Sequence, residues 1–72
     1  MKAREIRTWT TEELHERIED AYRELFALRH QLSMGRLEDH SQLKTTKRDI
    51  ARMKTILRER ELIAEMMEEA VQ

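Results

Sequence analysis

One stretch of the chain, Lys44 to Arg60, concentrates the side chains with the clearest chemistry. It contains seven Lys or Arg residues and two acids, so it holds half of the chain's fourteen cations. The chain as a whole has a formal net charge of −1. A local excess of positive charge in a nearly neutral chain favours an anionic partner, because the field at a surface depends on the nearby charges.

The cations fall on one side of a predicted helix. At about 100° per residue, Leu43, Ile50 and Leu57 share a narrow arc that would face a partner helix. The polar residues outside that arc are Lys44, Lys47, Arg48, Arg52, Lys54, Thr55 and Arg58. Cations four residues apart stand about 6 Å apart along the helix, near the spacing of successive phosphates. Arg can bind phosphate through two hydrogen bonds, and Thr can donate its hydroxyl to phosphate or ribose.

Three interpretations of this surface compete. A nucleic-acid site is favoured, because only Asp49 and Glu59 interrupt the cations, whereas a solvated helix face usually carries compensating acids. A solvated or protein-binding face comes next. An anionic membrane ranks last, because the opposite face is needed as core and lacks Trp or Phe anchors. Arg29 and Arg36 would add to the site if both project to the same side.

The first predicted helix has clear signals at both ends. Thr10 to Glu13 has the pattern of a capping box, and Trp9 with Leu14 has the spacing of a hydrophobic staple. Gly35 suits a left-handed helix end. Apolar residues recur between them at Leu14, Ile18, Ala21, Leu25, Leu28 and Leu32, and Tyr22 and Phe26 widen this stripe.

A second helix follows, which Asp39 or Ser41 could cap. Its apolar positions are Leu43, Thr46, Ile50, Met53, Leu57, Ala64 and Met67, with Arg60 at the skipped heptad position. Because one short turn joins two amphipathic helices, we predict an all-α fold in which two long antiparallel helices form a helical hairpin. Residues 1–72 would be a single domain, with helix one at about 10–34, the turn at 35–39 and helix two at about 40–68.

Composition argues against several classes of protein. The chain has no cysteine, which excludes disulfides, thiolate zinc sites and Cys nucleophiles. No two of His15, His30 and His40 have the i,i+4 spacing of a helical metal site, so we predict no metal ligand and no cofactor. A two-helix hairpin offers no cleft that would perturb paired carboxylates, so an enzyme is not expected. No window approaches the roughly 18 apolar residues needed to insert into a membrane.

Two segments closely resemble the family of ribosomal protein twenty-nine of the large subunit. They are ELFALRHQLSMGRLED, from Glu24 to Asp39, and KTTKRDIARMKTILRERE, from Lys44 to Glu61. The first carries the family's Leu-Phe-x-Leu-Arg-x-Gln pattern with Gly35, and the second carries its basic Ile-Ala-Arg helix. The resemblance covers about residues 1–62. The acidic segment after Glu61 is longer than the usual family ending, and we expect it to avoid RNA and to project to solvent or to a neighbouring basic protein.

The resemblance implies a structural constituent of the large ribosomal subunit with no enzymatic role. It implies binding to large-subunit rRNA near the polypeptide exit tunnel, beside ribosomal protein twenty-three, and leaves open the docking of exit-site chaperones or targeting factors. The matching RNA-contact positions are Arg29, Gln31, Gly35, Arg48, Arg52, Lys54, Thr55 and Arg58, and charge and location add Arg36, Lys44 and Lys47. The implied location is a cytoplasmic ribosome, with an organellar ribosome left open. The alternative is a protein-binding coiled-coil adaptor with no nucleic-acid role.

Overall fold

The computed structural model describes residues 1–71, which form three helices. Helix α1 spans Ala3–Ile6, α2 spans Thr11–Ser33 and α3 spans Ser41–Val71. The long helices α2 and α3 pack against each other, and residues 1–71 contain no strand, so the predicted all-α helical hairpin is confirmed. The molecule is elongated, with dimensions of 56 × 19 × 16 Å. No helix within the described part of the chain is both long and apolar enough to cross a membrane.

Helix α2 begins at the predicted capping box. The Glu13 backbone N–H donates to Thr10 Oγ1 at 3.1 Å, and the Thr10 N–H donates to the Glu13 carboxylate at 3.3 Å. Two N–H groups that the helix leaves unpaired at its start are therefore satisfied. Trp9 is half-buried against the core and Leu14 is fully buried, so the apolar residues on either side of the cap pack into the same cluster.

A tight turn reverses the chain after α2. Gly35 has a φ of +68°, in the left-handed region that favours glycine. The Arg36 N–H donates to the Gln31 carbonyl at 2.8 Å, and the Gly35 N–H donates to the Leu32 carbonyl at 3.0 Å, which is the Schellman pattern. After the buried Leu37, the chain enters α3 at Ser41.

The short helix α1, which the sequence does not predict, completes the core. Ile6 is fully buried in one cluster with Leu14, Met53 and Ile56. A third element therefore packs on α3 beside α2, and it widens the buried arc of α3. This explains why Ile56 is buried whereas Leu57, the predicted seam residue, is only partly buried.

Some predicted stripe positions are wrong. Tyr22 is 43% exposed and Phe26 is 75% exposed, so neither widens the core. Leu32 is also exposed, near the end of α2. Ala64 and Met67 are exposed because α3 continues beyond the N-terminal end of α2, where no other described element packs on it.

Candidate nucleic-acid interface

The predicted polar residues of α3 all lie at the surface. We call them the cationic face, and each of its side chains is exposed: Lys44, Lys47, Arg48, Arg52, Lys54, Thr55 and Arg58. Ile50 and Met53 are buried, and Met53 packs in one cluster with Ile6 of α1 and Leu14 of α2. The hairpin therefore presents the row of cations to solvent along several turns of one rigid helix.

Most of this positive charge is not neutralised within the chain. Arg58 pairs with Glu61 at 3.2 Å, both side chains being more than half exposed. Among residues 1–71, no acidic side chain lies within 4.0 Å of the charged groups of Lys44, Lys47, Arg48, Arg52 or Lys54. Asp49, which follows Arg48 in α3, is half-buried and lies 3.9 Å from the Met1 amino group. The cations are therefore available to an external anion.

A shallow groove of about 250 Å³ separates α1 from the cationic face. Its lining residues are Ala3, Arg7, Arg48, Ala51, Arg52, Thr55, Ile56 and Glu59. Arg52 donates a hydrogen bond to the Met1 carbonyl, which leaves its charge unneutralised. Arg7 faces Glu59 at 3.5 Å. The small side chains of Ala3 and Ala51 leave room for an anionic group to approach the three arginines.

Arg7 is a candidate residue that sequence reasoning missed. The fold brings it beside Arg48 and Arg52 because α1 packs along α3. A sequence signal exists, since residues 1–11 contain three cations and one acid. Helix-wheel reasoning on α3 alone could not place that charge, because the wheel contains no information about which segment packs beside it.

Thr55 has a hydrogen-bond partner inside its own helix. Its hydroxyl donates to the Ala51 carbonyl at 2.9 Å. The donor is therefore in use, and the oxygen remains free to accept a hydrogen bond from a ribose hydroxyl. This contact differs from the donation to phosphate that the residue type suggests.

Arg29 lies on the side of α2 that borders the cationic face. Lys54 Nζ is 5.1 Å from the centre of the Tyr22 ring, which places Tyr22 at that border. Arg29 follows Tyr22 by seven residues, or about two helical turns, and so it lies on the same side of α2. The arginine is exposed.

Gln31, Gly35 and Arg36 lie apart from this border. Gln31 follows Arg29 by two residues, which turns it about 200° around α2. Gln31 and Arg36 line a separate groove at the turn with Glu38, Asp39 and nearby residues. A Cβ atom added to Gly35 would meet nothing within 4 Å, so the surface around this glycine is open. The predicted residues thus form two regions, one along α3 and one at the turn.

In the turn region, hydrogen bonds hold the carboxylate of Asp39 in its charged form. The Asp39 carboxylate accepts the Ser41 hydroxyl at 2.6 Å and the Ser41 backbone N–H at 3.0 Å. These two hydrogen bonds, with a smaller effect from the charge of His40, lower the pKa of Asp39 below its ordinary value of 3.8. Asp39 therefore caps α3 as an anion.

No group of three or more possible metal ligands occurs among the residues described.

Comparison with known proteins supports the predicted family. The family model described as "Ribosomal L29 protein" matches residues 4–60. A protein named "Large ribosomal subunit protein uL29" from Thermotoga petrophila is 60% identical over 62 residues, covering 86% of this chain and 94% of the relative. The protein of the same name from Geobacillus stearothermophilus is 53% identical over 64 residues, covering 89% and 97%. The one from Staphylococcus aureus is 50% identical over 62 residues, covering 86% and 90%.

The helical hairpin and the match over residues 4–60 define a ribosomal protein. The chain belongs to the ribosomal L29 protein family. Its role is that of a structural protein of the large ribosomal subunit and not that of an enzyme. The predicted family is thereby confirmed.

Proposed function

We propose that this protein binds large-subunit rRNA through the cationic face of α3. The observation that carries the proposal is the set of exposed cations on one face, of which only Arg58 has an acidic partner among residues 1–71. The phosphates of RNA hold a condensed atmosphere of cations. Lys and Arg side chains that neutralise these phosphates release the cations to solvent, and this release favours binding.

Binding requires little change in the protein. The buried contacts of Ile6, Leu14 and Met53 fix α1, α2 and α3 relative to each other. Arg48 and Arg52 are one helical turn apart, so their guanidinium groups can contact neighbouring phosphates of one strand. Folded RNA is recognised mainly through phosphates, ribose hydroxyls and shape, and a straight cationic helix suits that mode.

The remaining predicted contacts extend this surface. Arg29 adds a cation from α2, and Arg7 adds one from α1 across the groove. Gln31, Gly35 and Arg36 would make a second contact at the turn, where the open space around Gly35 allows an RNA backbone to approach. The position near the exit tunnel, the contact with ribosomal protein twenty-three and the docking of chaperones or targeting factors rest on the family resemblance.

A salt titration of RNA binding tests the proposal. The double variant Arg48→Ala/Arg52→Ala should bind large-subunit rRNA more weakly. The negative slope of log affinity against log salt should become less steep by about 1.4–1.8. A control double variant, Arg17→Ala/Arg23→Ala, removes two exposed cations of α2, of which Arg17 lies over the Trp9 ring and Arg23 pairs with Glu19 and Asp20. It should retain a slope close to that of the parent. Circular dichroism establishes that each variant keeps its helices.

Two results would reject the proposed face. One is an unchanged salt slope for Arg48→Ala/Arg52→Ala, and the other is an equal change of the slope in the control pair.

Sedimentation of the isolated protein, with and without RNA, distinguishes the adaptor alternative from RNA binding. An adaptor forms stable oligomers alone and does not bind RNA, whereas a ribosomal RNA-binding hairpin sediments with RNA.

A further inference from the structure

The end of α3 forms a second surface with different chemistry. We call residues 61–71 the α3 extension; it begins where the family match ends, at residue 60. Every side chain from Glu61 to Ala70 is exposed. Four of them are large and apolar: Leu62, Ile63, Met66 and Met67, with 42%, 56%, 67% and 65% of their surfaces exposed.

These four residues occupy one side of the helix. Their spacing of i, i+1, i+4 and i+5 places them within an arc of about 140°, which we call the apolar stripe. The acids Glu61, Glu65, Glu68 and Glu69 share the opposite side within about 100°. The α3 extension is therefore amphipathic, but no other described element covers its apolar side.

RNA does not fit this segment. Glu61, Glu65 and Glu68 follow Lys54 and Arg58 at steps of three and four, so they continue the same line along α3. A strand that follows the cations would meet a row of carboxylates after Arg58. The four acids of the α3 extension have no compensating Lys or Arg within it, so phosphate is repelled.

Charge also argues against a second copy of this chain. Two α3 extensions packed side by side would bring together eight carboxylates without a cation, and like charges at such distances are unfavourable. An apolar stripe with this spacing fits the stripe of another helix. Complementarity with the flanking acids requires that helix to carry Lys or Arg beside its own apolar residues.

We propose that the α3 extension docks a basic amphipathic helix of a neighbouring protein in the assembled subunit. The apolar stripe supplies the buried contact, and Glu65 and Glu69, which border the stripe on the side of Leu62, pair with the partner's cations. This contact goes beyond the proposed function. A test in assembled large subunits rests on the proposed rRNA binding, because that binding brings the chain into the particle. The second test uses the isolated protein.

Photocrosslinking within the large subunit tests the contact directly. The full chain carries p-benzoylphenylalanine in place of Met66, on the apolar stripe, or in place of Glu68, on the opposite side, as the matched control. Each chain is incorporated into large subunits that lack the native copy, and co-sedimentation establishes incorporation. Position 66 should crosslink to a basic amphipathic helix of another ribosomal protein with at least fivefold higher yield than position 68. The substitutions Glu65→Lys/Glu69→Lys should reduce that yield severalfold.

Several outcomes would overturn the contact. They are a crosslink from position 66 to rRNA or to a second copy, equal yields from positions 66 and 68, or no protein crosslink in particles that contain the chain. Failure of both chains to sediment would instead count against the proposed function.

A peptide-binding measurement tests the docking chemistry without the particle. The probe is a designed 14-residue helix of Leu and Lys. The isolated chain should bind it, and two variants should each weaken that binding at least tenfold: Leu62→Gln/Met66→Gln, which removes the apolar contact, and Glu65→Lys/Glu69→Lys, which removes the charge attraction. Binding that is unchanged in either variant would overturn the proposal.

Discussion

The guanidinium of Arg60 donates a hydrogen bond of 2.7 Å to the backbone carbonyl of Trp9. The same group reaches Thr11 Oγ1 at 3.2 Å and the Arg7 carbonyl at 3.4 Å. Arg52 contacts the Met1 carbonyl at the other end of this segment. Two arginines of α3 therefore hold both ends of the N-terminal segment, which runs parallel to α3 with Ile6 buried between them.

Loss of Arg60 should destabilise the fold. Arg60→Ala removes three contacts from a partly buried charged donor, and hydrogen bonds to charged groups are typically worth about 1.5–3 kcal/mol. We expect the free energy of unfolding, measured in urea, to fall by about 1–2 kcal/mol, because water replaces some of the lost contacts. Arg58→Ala is the control, since Arg58 is exposed and, among residues 1–71, pairs only with Glu61. A loss no greater than that of Arg58→Ala would contradict this role.

Ile6 should contribute to stability as a core residue, although it belongs to a four-residue helix. Ile6→Ala removes a fully buried side chain and should lower the free energy of unfolding by about 2–5 kcal/mol. Ile63→Ala makes the same chemical change at an exposed position of α3 and should cost less than about 0.5 kcal/mol in the isolated protein. Thermal unfolding followed by circular dichroism compares them, and equal midpoints would show that α1 does not contribute to the core.

The glycine at position 35 should be required for its backbone conformation and not for space. L-Ala at φ +68° should cost about 1–2 kcal/mol, although its Cβ would meet no atom within 4 Å. D-Ala, introduced by chemical synthesis, suits positive φ and should be neutral or stabilising by up to about 1 kcal/mol. Urea denaturation of both variants distinguishes strain from crowding. Equal losses for the two enantiomers would point to crowding.

Asp39 should make the hairpin sensitive to acid. Because hydrogen bonds from Ser41 lower its pKa in the folded state, its stabilising effect is present above the ordinary pKa of 3.8. This contribution is lost as the pH falls below about 4 and passes through the folded pKa. Asp39→Asn should therefore lose less stability than the parent between pH 6 and pH 3, as measured by urea unfolding. Glu38→Gln removes a neighbouring charge but not the Ser41 bonds and serves as the control.

The parts of the fold that depend on local signals can be read from the sequence. The capping box at Thr10 and Glu13 and the left-handed Gly35 require only residues within a few positions of each other. Helix α1 has no such signal, because the burial of Ile6 depends on Met53 and Ile56, which are far away in sequence. For the same reason, the hydrogen bonds of Arg60 to the N-terminal segment could not be foreseen, although its partial burial fits its place in the seam.

The candidate site follows the same pattern. The exposure of Arg48 and Arg52 follows from helical periodicity, since the apolar residues of α3 already determine its buried side. The groove with Arg7 depends on how α1 packs, and the separation of Gln31 from Arg29 depends on where the border between α2 and α3 falls. Both require three-dimensional contacts that no single-helix projection contains.

The unbroken course of α3 from Ser41 to Val71 couples the angular positions of its two surfaces. The cationic face and the apolar stripe lie on one continuous helix. The number of residues between them therefore sets the angle between the directions in which they face. One residue inserted after Glu61 would rotate the stripe by about 100° around the axis while leaving every cation in place. Seven inserted residues would restore the original direction to within about 20°, but would move the stripe about 10 Å farther from the hairpin. Chain length at this junction therefore controls where a second molecule can sit relative to the first.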